Sequence, residues 1–227
     1  MTRSHPYYPL FLDLEGRDVV IVGGGGVAAR KAASLLTYGA RVTVVAPAFV
    51  PELEAAGVAL RRRAYEPGDL EGAALVIAAT DDAAINASVA AECRRRDILV
   101  NVVDDTALCD FIVPAVVESG SIQLAVSTGG QSPALARRLK DDLQHALGPE
   151  YAEVNDILGS LRDNAKVSPS LPADADRKRF FDGILELGVI ELLRDGHRRE
   201  AYEAVAEACR AADVRLSALV LARLAKL

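Results

Sequence analysis

Three short segments of this sequence carry residues whose types and spacing suit chemistry. The first, Val19-Val20-Ile21-Val22-Gly23-Gly24-Gly25-Gly26-Val27-Ala28, reads as strand, G-x-G-x-x-A turn, helix. Gly23 allows a tight turn, Gly25 lets the backbone approach a pyrophosphate with no Cβ in the way, and Ala28 lets the helix pack close to the strand. The free N–H groups and the dipole at the helix start then favour phosphate charge. A glycine cluster alone is a weak signal. One that follows a buried strand and opens a helix points to a bound dinucleotide.

The second segment is Asp104-Asp105, directly after the apolar stretch Ile98 to Val103. Asp104 therefore emerges at the carboxyl end of an expected strand, where open α/β sheets bind ligands. There it could serve as a general base, with the charge of Asp105 favouring proton uptake. A turn carboxylate bonded to its own backbone fits the position equally well. The third segment is Ser127-Thr128-Gly129-Gly130-Gln131-Ser132-Pro133, where Ser132 suits a helix N-cap and Pro133 the first helical position. Backbone N–H groups in such a turn can hold a carboxylate or phosphate, and Arg137 and Arg138 lie one turn further on. A capping turn without any ligand accounts for the same residues.

Other catalytic solutions find no support. No Tyr-x-x-x-Lys pair surrounds Tyr38, Tyr65, Tyr151 or Tyr202, and His5, His145 and His197 all fall away from the ends of expected strands. All three read as surface histidines. Cys93, Cys109 and Cys209 are odd in number and in no Cys-x-x-Cys pair, which suits reduced thiols in a cytosol. No cluster has structural metal spacing, so no metal is expected. A net charge of -6 gives no basic bias for nucleic acid. The longest apolar runs are strand-sized, such as Leu75 to Ala79, and the start, with His5-Pro6-Tyr7-Tyr8-Pro9, has no signal-peptide core. The expected location is cytoplasmic, with no membrane partner.

The positioning elements can be read from periodicity. Strand-like runs at Asp18–Val22, Arg41–Val45, Val58–Arg62, Leu75–Ala79 and Ile98–Val103 alternate with helical segments at Val27–Tyr38, Phe49–Ala56 and Asp82–Arg96. This predicts an α/β fold with a parallel sheet covered on both faces. Arg94 to Arg96 suit the negative end of a helix dipole and read as a solvated helix end. The pattern then changes. Phe111–Val117 and Ile122–Ser127, joined by Glu118-Ser119-Gly120-Ser121, predict an antiparallel hairpin. Beyond Pro133 the sequence reads as helices over 134–147, 151–165, 178–194, 197–211 and 213–226, with a loop at Ser168-Pro169-Ser170-Leu171-Pro172.

The dinucleotide site lacks one expected part. No carboxylate follows Gly39 before Glu52 to hold a ribose 2′-hydroxyl, and no arginine or lysine lies from Val42 to Pro51 to hold a 2′-phosphate. The segment Ala46-Pro47-Ala48 stands there instead. This favours NAD over NADP, with backbone atoms near Pro47 and Ala48 supplying the ribose contacts.

Taken together, the motifs resemble the siroheme-synthase dehydrogenase module, the precorrin-2 dehydrogenase family. The resemblance runs through Pro9–Leu12, Val22–Lys31, Gly39–Pro47, Ala78-Ala79-Thr80-Asp81-Asp82, Asn101-Val102-Val103-Asp104, Phe111–Ala115 and Ala125–Pro133. It implies NAD-dependent oxidation of precorrin-2 to sirohydrochlorin, a step toward sirohaem or cobalamin, by a homodimer. Some members also insert iron or cobalt, an activity this sequence leaves open. The resemblance makes Asp104 the general base and puts Gly26, Val27, Pro47 and Ala48 at the NAD site, where Gly23 and Gly25 of the turn and Thr80 are expected as well. It puts Thr128 in the tetrapyrrole cleft, and the anion-holding character of the same turn adds Ser127, Gly129 and Arg137 as expected substrate contacts.

The implied layout is a Rossmann-like NAD-binding domain over 1–114, a hairpin–helix dimerisation element over 115–148 and a helical domain over 149–227. The helices after about Gly148 resemble the family only in being helical. Thr106 stands where many relatives have proline. No methyltransferase module follows, so precorrin-2 is expected from another protein. The main alternative is a module that senses NAD without chemistry. The hundred residues beyond the α/β part and the Asn-Val-Val-Asp block speak against it. A dehydrogenase of a small hydroxy acid would need the histidine, lysine or tyrosine partners that are missing.

Overall fold

A computed structural model describes residues 7–227, so His5 and Pro6 lie outside the described residues. The chain divides into two compact units, one ending at Val113 and the other beginning at Pro114. The first unit contains β1 (Asp18–Val22), α1 (Gly26–Thr37), β2 (Arg41–Ala46), α2 (Pro51–Glu54) and β3 (Ala59–Arg62). A 3₁₀ turn (Pro67–Leu70), β4 (Leu75–Ala78), α3 (Ala83–Arg95) and β5 (Leu99–Val102) follow. All five strands are parallel, in the order β3-β2-β1-β4-β5.

Two-residue alternation along β1 builds both layers of this unit. Val19 and Ile21 join Ala28, Ala32, Leu35 and Leu53 on the face covered by α1 and α2. Val20 and Val22 join Leu70, Val89, Ala90 and Cys93 on the face covered by the 3₁₀ turn and α3. Burial on both faces explains why β4, and β1 from Val19 onward, are apolar rather than alternating.

The edge strand β3 is tied down by a buried acid. Asp69, whose side chain is 1% exposed, accepts hydrogen bonds from Arg61 Nη1 (2.7 Å), Arg63 Nη1 (2.7 Å) and the Glu66 N–H (2.9 Å). Burial pushes its pKa up, but Arg63, the Glu66 amide and Arg61 outweigh this and hold it at about 2. A carboxyl depressed on folding adds stability that is fully present above its unfolded pKa, about 3.9, and is lost as pH falls toward 2. Asp69→Asn is therefore expected to cost about 2 kcal/mol at neutral pH. It should also flatten the acid limb of the stability profile, as urea titrations across that pH range would report.

The second unit opens with the hairpin β6 (Ala115–Ser119) and β7 (Ile122–Val126), paired from Ala115↔Val126 to Ser119↔Ile122. Gly120, with φ +57°, takes the left-handed position in the two-residue turn. The first strand starts at Ala115 rather than at Phe111, as periodicity suggested. The Phe111 carbonyl is held by Asn101 Nδ2 at 3.0 Å, and Pro114 has no N–H to give a ladder.

Six helices follow: α4 (Pro133–Ala146), α5 (Pro149–Lys166), α6 (Asp174–Glu186), α7 (Val189–Arg194), α8 (Arg198–Ala211) and α9 (Ala218–Leu224). The helix expected over 178–194 begins earlier and breaks in two at Gly188, whose φ is +71°. The one expected over 213–226 starts only at Ala218, because Asp213 (φ +51°) ends α8 and Ser217 Oγ caps α9 through the Val220 N–H at 3.2 Å. Ile157, Leu161, Ile184, Val189, Tyr202, Val205 and Cys209 form the core of these helices.

Candidate active site

The carboxyl ends of β1, β4 and β5 lie side by side, presenting Gly23, Thr80 and Asp104 in a row. Neighbouring strands are about 4.8 Å apart, so two spacings separate the glycine turn from the aspartate by about 10 Å. Chain order reverses between β1 and β4, which is the crevice where sheets of this topology bind ligands.

Each glycine of the turn has its own reason. Gly23 has φ +131°, and a Cβ there would meet the Ala79 carbonyl oxygen at 2.2 Å. A Cβ on Gly24 would meet the Ala48 oxygen at 1.8 Å. Gly24 also accepts the Val50 N–H at 2.9 Å, so the loop after β2 is bonded straight onto the turn. At Gly25 nothing lies within 4 Å. Gly23 and Gly24 are thus required by packing, and Gly25 opens onto free space. Sequence reasoning gave no role to Gly24, since the Ala48 carbonyl reaches it only through the fold.

The two helices that start at this edge differ in their caps. Asp82 Oδ1 caps α3 by accepting the Ala84 and Ile85 N–H groups at 2.8 and 3.2 Å. At α1 the N-cap is Gly25, with no side-chain cap, and the first helical bond runs from the Ala29 N–H to the Gly25 oxygen at 3.1 Å. The amides of Gly26, Val27 and Ala28 precede that bond and point out of the helix end. Arg30, one turn on, is close by: its Nη1 lies 4.0 Å from where a Gly26 Cβ would be. Open space at Gly25, unbonded amides and a nearby guanidinium fit a pyrophosphate. Pro47 and Ala48, exposed after β2, flank the same turn.

Thr80 is held by a neighbour that sequence reasoning missed. Its hydroxyl donates to Asn86 Oδ1 (2.8 Å) and accepts the Asp82 N–H (3.2 Å), while Asn86 Nδ2 donates to the Thr80 carbonyl (2.9 Å). Asn86, a buried amide four residues past the Asp82 cap, thus fixes the end of β4.

Asp104 is exposed, with φ +61°, at the lip of a cleft of about 270 Å³ lined by Asp81, Asn86, Val103, Asp104 and Leu108. The loop behind it is laced back to β5. Val102 N–H donates to Cys109 Sγ at 3.1 Å, and that sulfur lies 3.2 Å from the carbonyl oxygens of both Val102 and Asp105. Asp105 Oδ1 accepts the Ala107 N–H at 3.0 Å, so Asp105 is the turn carboxylate while Asp104 faces solvent. Cys109 therefore fastens this loop, a role its spacing did not signal. Burial pushes the Cys93 thiol up to about 12 and the Cys209 thiol up to about 11, so neither is a nucleophile near neutral pH.

In the second unit the Ser127–Pro133 turn is self-bonded. Ser127 Oγ accepts the Gly129 N–H at 3.0 Å, Thr128 Oγ1 accepts the Ser132 N–H at 3.1 Å, and Ser132 Oγ accepts the Leu135 N–H at 3.2 Å. Ser132 is the N-cap and Pro133 the first residue of α4. Gly129 and Gly130 have φ of +64° and +81°. Arg137 is exposed on α4, and Arg138 pairs with Asp142. His145 and His197 are exposed; the nearby Glu200 raises the pKa of His197. Among the described residues no helix is long and apolar enough to cross a membrane.

Comparison with known proteins agrees with these features. An NAD(P)-binding family model matches residues 10–115, and the central-domain model of sirohaem biosynthesis proteins matches residues 119–146. The chain is similar to the siroheme synthase of Methylococcus capsulatus, with 41% identity over 91% of this chain and 44% of that protein. It is also similar to the siroheme synthase of Sodalis glossinidius, with 39% identity over 90% of this chain and 44% of that one. The chain thus spans less than half the length of these relatives. Among solved structures, SirC, a precorrin-2 dehydrogenase, aligns with a TM-score of 0.71 and 29% identity, covering 88% of this chain and all of that one.

Proposed function

We propose that this chain, which belongs to the family of siroheme-synthase dehydrogenase modules, oxidises precorrin-2 to sirohydrochlorin with NAD. The observation that carries the reading is the row formed by the uncapped start of α1, the Asn86-fixed end of β4 and the exposed carboxylate of Asp104. When bound, the nicotinamide supplies the hydride acceptor. The amides of Gly26 and Val27 and the guanidinium of Arg30 hold the pyrophosphate, with Pro47 and Ala48 against the ribose. Asp104 accepts the proton released as the substrate carbon gives up its hydride, which balances a two-electron oxidation. The cleft beside Asp104 is open, and so admits a large, flat macrocycle that a small closed pocket would exclude. Ser127, Thr128, Gly129 and Arg137 are assigned to the substrate's acid groups.

NAD is the assigned cofactor because no basic residue lies between Val42 and Pro51. The Michaelis constant with precorrin-2 as co-substrate is expected to be lower for NAD than for NADP; a marked NADP preference would overturn the assignment. Adding Fe(II) or Co(II) to the same assay reads metal insertion as a second, enzyme-dependent spectral species.

We also propose a homodimer built on α4 and the hairpin. Leu135, Leu139 and Leu143 recur every four residues on α4, and each is exposed. Such a stripe calls for a covering partner. Leu139→Asp is expected to convert a dimer to a monomer in sedimentation velocity.

A further inference from the structure

Among the charged clusters of the first unit that the proposed reaction leaves unused, that of Arg62 and Glu54 lies at the edge of the cofactor turn. Side chains alternate along an extended strand. Arg61 and Arg63 accordingly turn together to Asp69, and Arg62 turns the other way. Its guanidinium carbon lies 5.0 Å from the centroid of the Phe49 ring, and its Nη2 pairs with Glu54 Oε1 at 2.5 Å. Both partners of this pair are about half exposed, so neither is consumed by the core.

The register of the sheet says where this cluster stands. Arg62 is directly opposite Ala46, the last residue of β2. Pro47 and Ala48 come next, and the Ala48–Val50 loop is bonded onto Gly24. In sheets of this order the residue that reads the ribose 2′ position stands at the end of the second strand. β2 offers no charge of either sign there. The parallel neighbour β3 delivers a cation, and α2 delivers an anion.

We propose that the Arg62–Glu54 pair seated on Phe49 sets the choice between unphosphorylated and 2′-phosphorylated dinucleotide, a reading that rests on the cofactor site described above. Glu54 cancels the charge of Arg62 and repels a 2′-phosphate. Without Glu54, Arg62 is a ready fork for a phosphate. The segment from Val42 to Pro51 lacks basic residues, but the folded site has one, held in check by a carboxylate.

Titrating the intact protein with NADH and with NADPH, followed by cofactor fluorescence, tests this directly. Glu54→Gln is expected to lower the NADPH-to-NADH ratio of dissociation constants by about fivefold, the scale of an exposed charge contact, and the gain should shrink as salt is raised. Glu54→Gln combined with Arg62→Ala should return the ratio to the wild-type value or above. A ratio unchanged by Glu54→Gln would overturn the proposal, and so would a gain that survives the loss of Arg62. Wild-type protein that binds neither dinucleotide would instead overturn the cofactor site itself.

Discussion

Replacing Asp104 with asparagine is expected to slow the oxidation of precorrin-2 by about 10²- to 10⁴-fold, the range that a positioned general base contributes. NAD should still bind. Asparagine is the more informative substitution because Asp104 has φ +61°. Asparagine tolerates the left-handed region, whereas alanine there adds backbone strain of about 1 kcal/mol to any loss of chemistry. The loop behind Asp104 is held by Cys109 and Asn101 and not by the Asp104 carboxylate. Removing the charge should leave that loop in place. Calorimetric titration with NAD separates the outcomes: near-normal turnover by Asp104→Asn would remove the residue from the mechanism, and lost NAD binding would mark it as structural.

The second large effect is a contrast between adjacent glycines. Gly24→Ala drives a methyl group into the Ala48 carbonyl and should destabilise the protein by about 3 kcal/mol even without cofactor. Gly25→Ala meets nothing within 4 Å in the protein, so its thermal stability without cofactor should match the parent's. It should nonetheless weaken NAD binding by about tenfold, as expected when one hydrogen bond to a charged phosphate is lost. Thermal melts with and without NAD report both. Equal damage to the cofactor-free protein by both changes would mean that the open space at Gly25 has no ligand to receive.

Much of this unit could be read from local pattern. The strand–turn–helix around Gly23 and the strand leading to Asp104 are consecutive in sequence, and burial on both faces leaves an unmistakable apolar run. What could not be read depends on contacts between distant segments. Gly24 is constrained by a carbonyl at the end of β2, Cys109 by its doubling back onto β5, and Arg62 by the pairing of β3 with β2.

The same limit explains the helix errors in the second unit. Apolar residues recur on either side of Gly188, at Ile184, Val189 and Leu193, so periodicity alone carried one helix through the break. The left-handed backbone of Gly188 decides otherwise. At the Ser127–Pro133 turn the sequence identified the cap at Ser132. The hydroxyls of Ser127, Thr128 and Ser132 are engaged within the turn itself.

Binding and chemistry meet in one quantity, the NADH formed per molecule of tetrapyrrole converted. Precorrin-2 and NAD mixed with the protein without oxygen should give one NADH for each sirohydrochlorin, faster than in a control without protein and abolished by Asp104→Asn. NAD that binds tightly while precorrin-2 persists and no NADH appears would contradict the account, leaving a nucleotide-binding module without catalysis.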